Sequence, residues 1–179
     1  MFRIPVLRNV IEYSTIVLLW GTGLLAVQWF RDYPLTLQIT ILWICFAKAV
    51  FFGRENLNQL YEAARSNLSH HHFLLLMAIN MSQMILSFAF DFHLLHLIDQ
   101  NSFTGIVETA SFWEALFDFF YLSTLNFSFF GYSEILPQTV IAKCANLTEI
   151  VLAFITVIFL LSDFVSLKDS LRSRHPSQK

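Results

Sequence analysis

Tyr121-Leu-Ser-Thr-Leu-Asn-Phe-Ser-Phe-Phe-Gly-Tyr-Ser-Glu-Ile-Leu-Pro137 is the stretch on which the fold turns. Its first half closes an apolar, aromatic run that begins at Phe112 and ends at Phe127, with Glu114 and Asp118 as its charges. As a helix these 16 residues rise about 24 Å, while crossing the hydrocarbon layer takes about 20 residues. The segment therefore reads as a re-entrant helix that enters and leaves on one side. Irregular backbone at that depth is tolerated only where protein or a water-filled cavity surrounds it.

Four longer apolar runs flank this loop. Tyr13 to Phe30 and Tyr33 to Ala47 carry no charge; Phe73 to Phe90 continues past Asp91 to Ile98; Thr139 to Ser162 is interrupted by Lys143 and Glu149. Each is of spanning length or close to it, and Lys48 is expected to snorkel at a membrane edge. Arg3 and Arg8 precede the first run as they would in a signal peptide. No small-residue cleavage site follows, and Gln28-Trp29-Phe30-Arg31 reads as the end of a span.

Composition agrees. Of 179 residues, 56% are hydrophobic and 13% charged, about half the charge of a water-soluble domain. Twenty Phe against five Gly and four Pro exclude a disordered chain, and a net charge of −2 argues against a nucleic-acid partner. Cys45 and Cys144 sit in apolar runs, so no disulfide framework is expected. The expectation is an all-α membrane protein of one compact unit. Residues 1–53 form two spans, 54–72 a cytoplasmic interfacial linker helix with Leu57, Leu60 and Ala64 at helical spacing, 73–164 a span–loop–span unit, and 165–179 a short tail.

Basic residues orient the chain. Arg3, Arg8, Lys48, Arg54, Arg65, Lys168, Arg172, Arg174 and Lys179 fall on one side, so both termini are expected inside, in the cytoplasm. From Ser66 to Ala142 there is no Lys or Arg, but six acids: Asp91, Asp99, Glu108, Glu114, Asp118 and Glu134. They are expected to put a negative potential on the outer side that concentrates cations. A bacterial inner membrane suits such a chain.

A short helix, then Gly131-Tyr132, then Glu134, Pro137 and a span, with Ser123 and Ser128 upstream, resembles the pore of potassium channels. The likeness covers about Phe73 to Phe164 and is closest to the two-span pore module of the tetrameric bacterial cation channels. The resemblance implies a homotetramer in the lipid bilayer, conducting K⁺ or other monovalent cations such as Na⁺. It implies a filter at Ser128, Phe129, Phe130, Gly131, Tyr132 and Ser133, and an outer mouth at Glu134. In such a filter, carbonyl rings replace the water of the ion. Gly131 permits positive φ, Tyr132 braces the loop with Trp113 as a candidate partner, and Pro137 starts the last span.

The match has departures. Phe129 stands where the family has Thr, and Ser133 where it has its second Gly. Ser133 would adopt positive φ at a cost of about 1 kcal/mol. Ala153 stands at the family's hinge glycine, so the last helix should bend less easily. Glu149, one turn earlier, is an intramembrane acid and a functional candidate, read first as a carboxylate bonded to the neighbouring short helix. No Arg ladder of a voltage sensor appears in the front spans.

Other readings stay open. One keeps the fold without transport, as a non-conducting channel-like subunit or scaffold. Another is a four-helix haem or metal protein using His93 and His96, which share a helix face; packing at the outer mouth is the reading preferred for this pair. His70-His71-His72 reads as a solvated interfacial cluster. Asn67-Leu-Ser69, Asn126-Phe-Ser128 and Asn146-Leu-Thr148 match the glycosylation pattern, but none is expected to face the exterior. Gly21-Thr-Gly23 reads as a close-packing point. No nucleophile–base pair, phosphate loop or paired-carboxylate arrangement appears, so no enzyme activity and no cofactor are expected.

Overall fold

The structure is a computed structural model that describes residues 3–66, 70–107, 109, 111–129 and 133–174, with side chains described for 8–58, 61, 74–107, 109, 111–129 and 133–161. Five α-helices make up these residues: α1 (Arg3–Trp29), α2 (Pro34–Ser66), α3 (His70–Ile98), α4 (Phe112–Ser128) and α5 (Val140–Arg174). A 3₁₀ turn (Gln100–Ser102) and two short strands, β1 (Phe103–Thr104) and β2 (Leu136–Pro137), complete it. Four helices carry segments long and apolar enough to cross a membrane: Arg8–Trp29, Pro34–Asn58, Leu74–Ile98 and Val140–Leu161. They coincide with the four runs expected from sequence.

α3 is the hub. Half of its apolar window is buried, against 6% for α1, and it packs against α1, α2, α4 and α5. Met77, Met84, Phe88, Phe92 and Leu95 of α3 are its large, fully buried apolar side chains. Side-chain contacts set the directions of the helices. α1 runs parallel to α3, since Gln83 donates to Glu12 (3.1 Å) low in the bundle and Gly23 meets Leu94 higher up. α2 runs antiparallel to α3, with Cys45 beside Asp91 and Asn56 beside Asn80. α5 runs alongside α2, where Asn56 donates to Thr156 at 2.8 Å. The start of α1 and the end of α2 therefore share one end of the bundle, where Arg8 pairs with Glu55 at 3.1 Å.

The opposite end is closed by a clasp. β1 pairs antiparallel with β2, Phe103 opposite Pro137 and Thr104 opposite Leu136. The Gln138 N–H donates to the Ser102 carbonyl at 2.8 Å. Gly105 follows β1 at φ 89°, and a Cβ there would lie 2.1 Å from the Glu134 carbonyl oxygen, so only glycine fits. The clasp brings the chain leaving α3 against the chain approaching α5.

Two expectations are corrected. The separate interfacial helix over 54–72 is absent: α2 continues unbroken to Ser66 and α3 begins at His70. No proline interrupts residues 54–66, so nothing stops α2 at the end of its apolar segment. Residues 67–69, which include the Asn67 and Ser69 positions, lie outside the described residues, as do the side chains of His70, His71 and His72. At the other end of the chain α5 continues as helix to Arg174, and 175–179 lie outside the described residues.

The second correction concerns Lys48 and Asp91. Lys48 does not snorkel at an edge and Asp91 does not belong to an exposed acidic surface. They form a buried ion pair between α2 and α3, their side chains only 15% and 6% exposed. Lys48 Nζ also donates to the Ser87 carbonyl at 3.2 Å and sits 5.6 Å from the Phe88 ring centroid. The Cys45 thiol donates to Asp91 Oδ2 at 3.1 Å. An intramembrane charge is stable only when paired and hydrogen-bonded, and this arrangement supplies both. Replacing Lys48 by Met, which leaves Asp91 unpaired, is expected to lower stability in mild detergent by about 3 kcal/mol. The double change Lys48→Met/Asp91→Leu should recover most of that loss in denaturant titrations. Simple addition of the two single effects would contradict the pairing.

Candidate functional site: a short helix held on a buried carboxylate

α4 starts at the clasp end. Ser111 is its N-cap: the Ser111 hydroxyl accepts from the Glu114 N–H at 3.3 Å and the Ser111 N–H donates to Glu114 Oε2 at 2.6 Å. This reciprocal capping box satisfies two of the unpaired donors of the first turn. The Ser111 N–H bond holds the Glu114 carboxyl below its ordinary value, so the cap is complete when Glu114 is ionised and weakens as pH falls through that lowered value. The helix then descends along α3. Phe112 stands edge-on to His93 with centroids 4.7 Å apart, and Phe119 packs against Phe103 at 5.0 Å and His96 at 5.5 Å.

The lower half of α4 is fixed by polar contacts. Ser123, fully buried, has its hydroxyl 2.9 Å from the Ile85 carbonyl of α3 and in hydrogen-bond contact with Glu149 Oε1 of α5. One turn on, Asn126 Nδ2 donates to Glu149 Oε2 (2.5 Å) and Asn146 Oδ1 (2.9 Å). Glu149 is fully buried. Ile85 is the twelfth of 25 residues in the apolar segment of α3, and Glu149 the tenth of 22 in that of α5. The end of α4 thus lies beside the midpoints of two helices that can span a membrane. The helix stops at Phe129, which takes the left-handed conformation at φ 55°, uncommon for a residue other than glycine. By Leu136 the chain is back at the clasp, paired with Thr104.

The residues expected to form a filter are partly in view. Phe130, Gly131 and Tyr132 lie outside the described residues. Ser128 is exposed and bonds back to the Leu125 carbonyl at 3.1 Å. Phe129 is 45% exposed, and its ring stands perpendicular to Phe154 of α5 with centroids 6.3 Å apart. The strain expected at Ser133 falls elsewhere: among the described residues other than glycine, Phe129 alone has positive φ. Ser133 instead accepts from the Ile135 N–H at 3.0 Å, a local turn. Glu134 is exposed near the clasp. Ala153 is fully buried within unbroken α5, and Trp113 is 69% exposed against Phe112.

The reading of Glu149 as a carboxylate bonded to the neighbouring short helix holds. Asn126 and Asn146 of the two glycosylation patterns are half-buried and engaged with each other between α4 and α5. Among the described residues no cluster of three or more His, Cys, Asp or Glu can hold a metal ion, and His93 and His96 lie among aromatic rings. Two features were missed from sequence. The capping box was readable as Ser111-Phe-Trp-Glu114. The Lys48–Asp91 pair joins two helices, although both are lone charges within apolar runs, which is the signal that would have suggested it. No protein-family model, curated protein or solved structure matches this chain.

Removing the Glu149 side chain takes one of its two acceptors from each of Ser123 and Asn126, leaving them the Ile85 carbonyl and Asn146 Oδ1, and opens a cavity where the carboxylate stood. Glu149→Ala is expected to cost about 3 kcal/mol, and Glu149→Gln, which keeps one acceptor oxygen, roughly half of that. In a double-mutant cycle, Ser123→Ala should add little once Glu149 is Ala. Full additivity, measured by unfolding in detergent, would separate the two residues.

Proposed function

We propose that this chain is one subunit of a homotetrameric pore-loop cation channel that carries K⁺ or monovalent cations across a bacterial inner membrane. The observation that carries the reading is the course of the chain from Ser111 to Pro137. A capped helix starts at one end of the bundle and stops beside the midpoints of the apolar segments of α3 and α5, and the chain then returns to the end it left. A hydrophobic protein has little reason to bring irregular backbone to that depth unless it lines a cavity. The C-terminal end of α4, where its dipole is negative, is aimed at mid-depth and favours a cation there.

A second feature supports assembly. Val140, Leu147, Val151, Phe154, Ile158 and Leu161 of α5 are all exposed, at intervals of 7, 4, 3, 4 and 3 residues, which aligns them on one helix face. Phe129 at the tip of α4 lies against this face through Phe154. Four copies meeting along it would surround an axis with the segment from Ser128 to Ser133 above a cavity lined by α5. In this reading the clasp end, with Glu134, faces outward, and both termini face the cytoplasm. The absence of Lys and Arg between Ser66 and Ala142 supports that orientation.

The position of Phe129 favours a second reading, a non-conducting relative of such channels. Its ring occupies the surface beside the tip of α4, and four rings facing one axis would narrow it. Bilayer recording with K⁺ on one side and Na⁺ on the other separates the two. The channel reading predicts a cation current in the unaltered protein, and a larger one in the double variant Phe129→Thr/Ser133→Gly. Current in the double variant alone would establish the second reading. Silence from both, in a tetramer verified by its mass, would overturn the channel proposal.

A further inference from the structure

At the clasp end, between the top of α3, the 3₁₀ turn and the start of α4, lies a cavity of about 1060 Å³ lined by His93, His96, Gln100, Phe103, Phe112 and Gln138 among others. We propose that it is an open binding site for a borderline transition-metal dication of the Zn²⁺ class, held by the imidazoles of His93 and His96. The proposal rests on no part of the channel reading.

Its first support is a set of unmet hydrogen-bonding groups. His93 is fully buried, and among the described residues neither of its ring nitrogens has a partner, nor does Nδ1 of His96 or the hydroxyl of Ser102. A buried polar atom left unpaired costs about 1–3 kcal/mol, so unpaired imidazole nitrogens on two residues that line one cavity point to something that enters it. The rings packed around His93 cannot serve its nitrogens. Trp20, Phe112 and Phe119 face His93 with ring centroids 6.1, 4.7 and 6.1 Å away, and Trp20 Nε1 is itself without an acceptor.

The second support is donor type and field. Residues three apart on a helix are neighbours on one face, so His93 and His96 can present two nitrogens to one ion. Imidazole selects Zn²⁺, Cu²⁺ or Ni²⁺, whereas Mg²⁺ and Ca²⁺ require carboxylate and carbonyl oxygens. No Lys or Arg occurs between Ser66 and Ala142, while Asp99, Glu114 and Glu134 do, so the local field attracts cations and repels anions. With two protein nitrogens, the remaining positions fall to water and a neutral oxygen such as that of Gln100, which also lines the cavity. This makes an exchangeable site and not a closed structural one.

The test uses the full chain in detergent, purified without a histidine tag, with His70, His71, His72 and His175 replaced by Ser to remove the other imidazoles. Calorimetric titration with ZnSO₄ should show one saturable site per chain in the micromolar range and no saturation with MgSO₄. His96→Gln, at a half-buried position, should weaken Zn²⁺ binding at least tenfold with the fold intact by circular dichroism, and His93→Gln should abolish it. Cu²⁺ should quench the fluorescence of Trp20, and do so less in His96→Gln. Absence of saturation up to millimolar Zn²⁺, an equal response to Mg²⁺, or binding unchanged in both variants would overturn the proposal.

Discussion

The Glu149 carboxylate, seated near the midpoint of the apolar segment of α5, is the constraint on which the rest of the interior depends. It receives hydrogen bonds from Ser123 and Asn126 of α4, while Ser123 also reaches the Ile85 carbonyl of α3. One acid thus joins the three helices of the rear unit at a single depth. Apolar packing alone is a weak guide to register between helices in lipid, since the surroundings are as apolar as the side chains. Directional polar contacts supply that register. With Glu149 beside Ser123 and Asn126, α4 cannot slide along α5 without stranding buried donors.

The same logic recurs through the bundle. Lys48 and Asp91 register α2 on α3. Asn56, Asn80 and Thr156 form a buried chain of amides and hydroxyl that ties α2, α3 and α5 together one layer below. Tyr13 meets Ser82, and Glu12 meets Gln83, where α1 joins. These contacts form a ladder of polar rungs within a mostly apolar set of helices. Much of the outward surface of α1 and α5 is left to leucine, valine and phenylalanine, as a lipid-facing or subunit-facing surface requires.

What the sequence disclosed, and what it withheld, follows from the range of the interactions. The four long helices were legible because a run of uncharged residues is a local property, and α4 because its run is too short to join them. Glu149 was legible as an acid within a span with the short helix as its partner. Its specific donors were less so, because choosing Ser123 and Asn126 requires knowing how far α4 descends. Lys48 looked like a residue near a boundary, and Asp91 like one of the acids of the outer side. Only their juxtaposition across α2 and α3, 43 positions apart in sequence, makes them one buried pair. The linker over 54–72 was misjudged for a local reason: a drop in hydrophobicity marks the end of an apolar surface, but a helix ends only where a cap, a proline or a turn ends it.

The central claim is that α4 holds its tip at mid-bilayer while both ends of the loop stay at one surface. Its most direct test is the depth of spin labels attached to single cysteines at Trp113, Ser128 and Glu134, in a chain whose Cys45 and Cys144 are replaced by Ser, reconstituted in vesicles. Collision with oxygen and with a water-soluble nickel chelate reads the depth of each label. The account predicts labels at 113 and 134 close to the same water interface and the label at 128 deep between the two faces, with a membrane-impermeant thiol reagent reaching cysteines at 113 and 134 from one side only. Labels at 113 and 134 on opposite faces would make α4 a crossing helix and contradict the account.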